Sequence, residues 1–251
     1  MRKECERGKE ERCEEQKVRK FGGWKGVGKR RREEKKMVQI TDRDIRIFKF
    51  LAKHRFGTAA QIARFVEATQ KKAYKRLNAL KKSGYIGYER IFYREPGVYF
   101  LRSKGCQVIG LDTGGGGNIV PGTYKHDLGV IDIALYFYEK GYEITAEKEF
   151  FAKQFSGFGS QGKKERKPDL VAVKDDETIA IELEIAVKGA ARMKKIVQFY
   201  MRNRKYTKVI FFCAKDSVSK RIKEIASKSP HIEVIRWKGG NSIDEGENRA
   251  I

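Results

Sequence analysis

The sequence predicts an α/β protein in two parts: a winged helix-turn-helix at residues 38–111, then an α/β domain with a mixed sheet at residues 124–238. Three observations predict it. Three short amphipathic segments, each opened by a Thr, fill residues 41–83 and lead into two β-rich runs. A Gly-rich stretch at 112–123, with Gly114-Gly115-Gly116-Gly117 and Pro121-Gly122, reads as a linker. Beyond it the pattern runs helix, three strands, helix, strand, helix, strand.

Charge sets the class of partner. With 56 Lys and Arg against 33 Asp and Glu, the 251-residue chain carries a net charge of +23 and a pI near 9.8. That is the footprint of a polyanion ligand, and double-stranded DNA is the expected partner. No run of about twenty apolar residues exists, so no membrane partner is expected. Cys5, Cys13, Cys106 and Cys213 form no C-x-x-C, which argues against a zinc site or a disulfide framework. With no signal-peptide core at the N-terminus, a reducing cytoplasm is the default location.

Residues 1–36 hold fifteen Lys or Arg against eight Glu, with glycines at 22, 23, 26 and 28. They read as a basic disordered tail, which either lies on phosphate backbone or merely solubilises. Thr41-Asp42-Arg43-Asp44 is a capping box that opens a helix carrying Ile45, Phe48, Leu51 and Ala52. His54-Arg55-Phe56-Gly57 ends it, and Thr58 with Gln61 opens a second helix. Thr69 opens a third, with Ala73, Leu77 and Leu80 inward and a stop at Ser83-Gly84. Strands at 85–92 and 97–101 read as the wing.

The third helix holds Lys71, Lys72, Lys75, Arg76, Lys81 and Lys82 and no acid, with Tyr74 and Asn78 among them. In a DNA-binding helix-turn-helix this element enters the major groove. Arg76 and Asn78 are then the candidates for base edges, and Lys71, Lys72 and Lys75 for phosphate. The alternative is a protein-binding winged helix with a solvated basic face.

In the second part, a helix at 126–140 precedes a strand at 143–151 and a basic, Gly-rich loop at 156–167. A hairpin follows: 168–174, a turn at Asp175-Asp176, and 177–186. With a two-residue loop, Lys174 pairs with Glu177 and Asp169 falls opposite Glu182, with Cβ atoms about 5 Å apart. Glu184 shares that face, while Ile179, Ile181, Leu183 and Ile185 point the other way. Paired carboxylates at this spacing suit Mg²⁺ or Mn²⁺, which would polarise a phosphodiester and activate water. The alternative is a solvated strand face, with Lys167 paired across to Glu184. A helix at 188–204, a strand at 207–213, a helix at 217–228 and a strand at 231–236 complete the domain, and 239–251 read as a flexible tail.

This order, with Pro168-Asp169 opening one strand and Glu182-Leu183-Glu184 on the next, resembles the PD-(D/E)xK nuclease superfamily over about residues 126–213. The resemblance implies a restriction-endonuclease-like αβββαβ domain in which Asp169 and Glu182 hold the metal. The superfamily usually has Lys where Glu184 stands, although some of its restriction endonucleases carry Glu there. Lys188 or Lys195 on the next helix could supply the missing cation.

A second resemblance covers most of the chain. Thr41-Asp42-Arg43-Asp44, the run Leu51 to Thr58, Arg76-Leu77-Asn78-Ala79-Leu80, Tyr99-Phe100-Leu101, and His126 with Asp132 all resemble the plasmid replication-relaxation family. So do Lys167-Pro168-Asp169 and Glu182-Leu183-Glu184. That family is encoded on plasmids and integrative elements and is implicated in replication and DNA relaxation. Within it, His126 and Asp132 are candidates for a catalytic role, against a capping His and a solvent-facing Asp. Three readings follow: a metal-dependent endonuclease or nickase, a catalytically inactive accessory protein working with other replication or relaxation proteins, and a transcriptional regulator that forms a homodimer through its second domain.

Overall fold

The computed structural model describes residues 38–111, 119–146 and 166–239. The basic tail, most of the Gly-rich linker, the far half of the strand expected at 143–151, nearly all of the loop at 156–167 and all but the first residue of the tail at 239–251 lie outside the described residues.

Helix α1, Asp42–His54, starts where the Thr41 N–H and hydroxyl both donate to Asp44 Oδ2 at 2.8 Å. It stops at Arg55, which takes φ +73°. Strand β1, Phe56–Thr58, follows at once and is buried throughout. Helix α2, Ala59–Phe65, opens on a reciprocal box in which Thr58 N–H donates to Gln61 Oε1 and Gln61 N–H to Thr58 Oγ1. Helix α3, Gln70–Lys82, is capped by Thr69, which accepts from Lys72 N–H. Strands β2, Ile86–Glu89, and β3, Val98–Leu101, pair antiparallel, and β1 adds to the far edge of β3 to give the order β1-β3-β2. Both β2 and β3 are shorter than the strands expected there. Neither β1 nor the short helix α4, Ser103–Val108, carries enough residues to show a period. Ile47, Phe48, Leu51, Ile62, Leu77, Leu80, Val98 and Leu101 form the core of this part.

Helix α5, Tyr124–Glu139, begins two residues before the expected start and leads to β4, Glu143–Ala146. Strands β5, Leu170–Lys174, and β6, Glu177–Glu184, form the expected hairpin, with Lys174 opposite Glu177 and Leu170 opposite Ile181. Asp175 takes φ +49° in the turn, a conformation Asp tolerates. Helix α6, Ala190–Arg202, crosses to β7, Lys208–Cys213, and α7, Asp216–Ile225, to β8, Ile232–Arg236. The five-stranded sheet runs β4-β5-β6-β7-β8, antiparallel as far as β6 and parallel from β6 to β8. The protein is thus a mixed α/β fold with seven helices among the described residues.

Both faces of this sheet are covered. Leu170, Ala172, Ile179, Ile181, Ile210 and Phe212 meet Ile133, Ala134 and Phe137 of α5. Val171, Ala180, Val209 and Phe211 meet Met193, Ile196, Val197 and Tyr200 of α6 and Ile222 of α7. The acidic face of β6 is therefore not a solvated one: α6 and α7 roof it, and Glu182 and Glu184 are buried. Gly129 lets α5 lie close to the sheet, since a Cβ there would meet Leu183 Cδ2 at 2.6 Å. The N-terminal part docks on α5. Gln61 Nε2 donates to Asp132 and to Leu128 O, Arg64 grips Glu139 at 2.5 and 2.6 Å, and Lys53 Nζ reaches Ile144 O at 2.6 Å. No described helix is long and apolar enough to cross a membrane.

Candidate nucleic-acid interface and carboxylate cluster

Helix α3 sorts its residues by period. Ala73, Leu77 and Leu80 are buried against the core, which leaves Lys71, Lys72, Tyr74, Lys75, Asn78, Lys81 and Lys82 exposed on the opposite side. Lys81 Nζ lies 5.2 Å from the Tyr88 ring, and Tyr88 packs on Tyr99 at 5.0 Å. The β2–β3 connection adds exposed Arg90 and Arg94, and Tyr93, which is 85% exposed. Cations interleaved with open aromatic faces offer phosphate neutralisation and base or sugar contact together.

Arg76 is placed differently from the expected base reader. Its guanidinium turns back along α3: Nε donates to Asp44 Oδ1 at 2.7 Å, Nη2 to Asp44 Oδ2, and Nη2 also to Gln39 O at 2.6 Å. Asp44 is fully buried, and burial alone would raise its pKa, but the Arg76 and Thr41 hydrogen bonds hold the carboxyl below its usual value. Arg76 thus fastens α3 to the start of α1. The signal that could have found this was Asp44 itself, an acid at a buried helical position that needs a cation.

The second site is where β5, β6, α5 and α6 meet. The hairpin register brings Asp169 beside Glu182, and Asp169 Oδ2 accepts from Leu183 N–H at 2.8 Å. His126, from the first turn of α5, sets Nε2 3.3 Å from Asp169 Oδ2 and 3.2 Å from Leu183 O, with Nδ1 3.6 Å from Asp127. Glu182 Oε1 accepts from Arg166 Nε at 3.1 Å, Arg166 Nη2 at 2.9 Å and the Tyr200 hydroxyl at 2.6 Å. Glu184, on the same side of β6, accepts from Lys188 Nζ at 2.6 Å.

These contacts shape the ionisation of the cluster. Burial, and next the charge of Asp169, push Glu182 up to about 7, against the pull of Arg166 and Tyr200. Burial opposes a charged His126, yet Asp127 and Asp169 overcome it and lift the imidazole to about 10. Burial and Glu182 drive the Tyr200 hydroxyl far above its ordinary range, so it remains a donor. Burial, with Glu184 nearby, pushes the Cys213 thiol up to about 12.

Of the candidate residues, Asp169, Glu182, Glu184, Lys188 and His126 are brought together. Asp132 is not among them. It is half-buried rather than solvent-facing, and it accepts from Gln61 at 2.7 Å where α2 meets α5. Lys195 stays exposed on α6, and Lys188 is the cation that reaches Glu184. Arg166 and Tyr200 belong to the site although the sequence pattern does not mark them. Tyr200 occupies a core position of α6, and helical period locates it there without revealing the use of its hydroxyl.

Protein donors already occupy one oxygen of each of these carboxylates. Glu182 Oε1 already takes three hydrogen bonds, Asp169 Oδ2 takes Leu183 N–H beside His126, and Lys188 neutralises Glu184. Among the described residues no three His, Cys, Asp or Glu side chains are grouped so as to hold a metal.

The fold and the cluster define a mixed α/β protein with a buried, cation-paired carboxylate cluster on its hairpin, docked on a basic helical module. The family model described as replication-relaxation matches residues 48–209. The chain belongs to the replication-relaxation family. No curated protein matches it.

Proposed function

We propose that this chain is a double-stranded-DNA-binding protein acting in the replication or relaxation of a plasmid or mobile element, in keeping with its family. In this reading residues 38–111 are a winged helix-turn-helix, and residues 124–238 a PD-(D/E)xK nuclease-like domain whose carboxylates are held by protein cations. The observation that carries it is the outward face of α3, where five lysines, Tyr74 and Asn78 stand exposed with no acid among them. With Arg76 committed to Asp44, Asn78 becomes the base-reading candidate.

Duplex affinity should fall steeply with salt, with a log–log slope of about −0.9 per phosphate contact. Lys72→Ala should weaken all sequences alike and flatten that slope by about 1. Asn78→Ala should instead cost about 1–3 kcal/mol of discrimination at one position. Fluorescence anisotropy across a salt series measures all three, and affinity indifferent to salt would overturn the reading.

A second reading, a Mg²⁺- or Mn²⁺-dependent endonuclease or nickase, is favoured by one observation: Asp169 stands close enough to Glu182 to raise its pKa. It requires an ion to share carboxylates that already accept from Arg166, Tyr200 and Leu183 N–H. The closed cluster leads us to expect no Mg²⁺-induced rise in Tm and intact supercoiled plasmid. Nicking by the wild type that Asp169→Ala abolishes would put the enzyme reading in place of the accessory one.

A further inference from the structure

The large sheet separates the chain's positive charge into two surfaces. The N-terminal part rests on α5, which covers one face of the sheet, whereas α6 and α7 cover the other. Between α6 and α7 runs an open groove of about 640 Å³, walled by Lys194, Gln198 and Arg202 from one helix and Arg221 and Glu224 from the other. Lys194, Arg202 and Arg221 are exposed and form no ion pair among the described residues. The stretch from Lys188 to Lys208 holds eight Lys or Arg and no acid.

Three exposed cations against the single acid Glu224 make the groove a positive surface, and a phosphodiester backbone is the counter-charge a line of cations favours. The carboxylate cluster does not account for this row, because its cations are Arg166, His126 and Lys188. Helix α3 belongs to the part that rests on α5, on one side of the large sheet, and the groove lies on the other. We infer that the α6–α7 groove is a second, sequence-independent duplex-binding surface, so that one chain holds two DNA segments at once. The inference rests on the DNA-binding reading of α3 and adds to it a second segment.

A two-duplex capture assay tests it. The full chain is mixed with a biotinylated duplex on beads and a fluorescent duplex in solution, and the fluorescence retained is measured beside a single-duplex gel shift. The probe variant is K194E/R202E/R221E, with its Tm checked against wild type. The expected result is capture by the wild type and at least a tenfold loss of capture by the variant, with single-duplex binding retained within about threefold. Capture that persists in the variant, through the basic tail or a second copy of the chain, overturns the inference. Absence of capture by a wild type that still binds single duplex overturns it equally. A wild type that binds no duplex brings down the DNA-binding reading first, and Lys72→Glu, which should weaken single-duplex binding and capture together, tells loss of the α3 site from loss of the groove, where capture alone falls.

Discussion

Arg76→Ala should destabilise the protein by about 3 kcal/mol. Asp44 is fully buried, and of its four hydrogen bonds two come from Arg76 and two from Thr41. Breaking a buried pair from one side strands the remaining charge, a loss of about 3–5 kcal/mol. The Arg76 side chain is 31% exposed, which places the expectation at the lower end. Urea denaturation of wild type, Arg76→Ala, Asp44→Asn and the double variant measures the coupling. The double should be less than additive, because neither change costs much once the other is made. Arg76→Lys should recover only part of the stability, since an ammonium cannot span both carboxylate oxygens while reaching Gln39 O. A stable Arg76→Ala protein with relaxed DNA sequence preference would return Arg76 to base reading.

The same residue shows what can be read from sequence and what cannot. The period of α3 separates Leu77 from Lys75, because burial along one helix repeats every 3.6 residues. It cannot tell that Arg76, at the boundary of the two faces, finds a partner 32 residues earlier. The hairpin was legible for a similar local reason. A two-residue turn fixes every pairing that follows, so Asp169 beside Glu182 needed only the count of Asp175-Asp176. What covers that face was not legible. Alternation assigns Glu182 and Glu184 to one side of β6, but burial there depends on α6 returning over the sheet. The donors followed from that roof: Tyr200 comes from α6 and Lys188 from the turn before it, while Arg166 precedes the hairpin. β1 illustrates a different limit, because a three-residue strand buried on both sides has no alternation to detect.

His126 should make stability fall as the medium turns alkaline. Its folded pKa is about 10, set by Asp127 and Asp169 against burial, compared with 6.5 for the unfolded chain. A raised cation pKa means that the folded state holds a proton the unfolded state has given up. The contribution is fully present below pH 6.5 and is lost as pH rises through about 10. A tenfold change in proton affinity is worth about 1.4 kcal/mol, and solvent reaching a ring that is 29% exposed lowers the total. Between pH 7 and pH 9 the expected loss is roughly 2 kcal/mol. Other groups titrate near this range. Glu182, raised from 4.5 to about 7 when folded, gives up its contribution as pH rises from about 4.5 to about 7, before this interval. The thiol of Cys213 resists ionisation when folded and adds a later part of the alkaline loss. His126→Gln removes only the imidazole contribution and keeps the others, so the difference between the two pH profiles isolates it. Denaturation curves should show wild type losing roughly 2 kcal/mol more than His126→Gln across that interval. Profiles that run parallel would mean that His126 is neutral in the folded protein. In that event the ring is the Nε2–H tautomer, still donating toward Asp169 and Leu183 O while Nδ1 has no proton, and a cation other than His126 would have to balance the cluster.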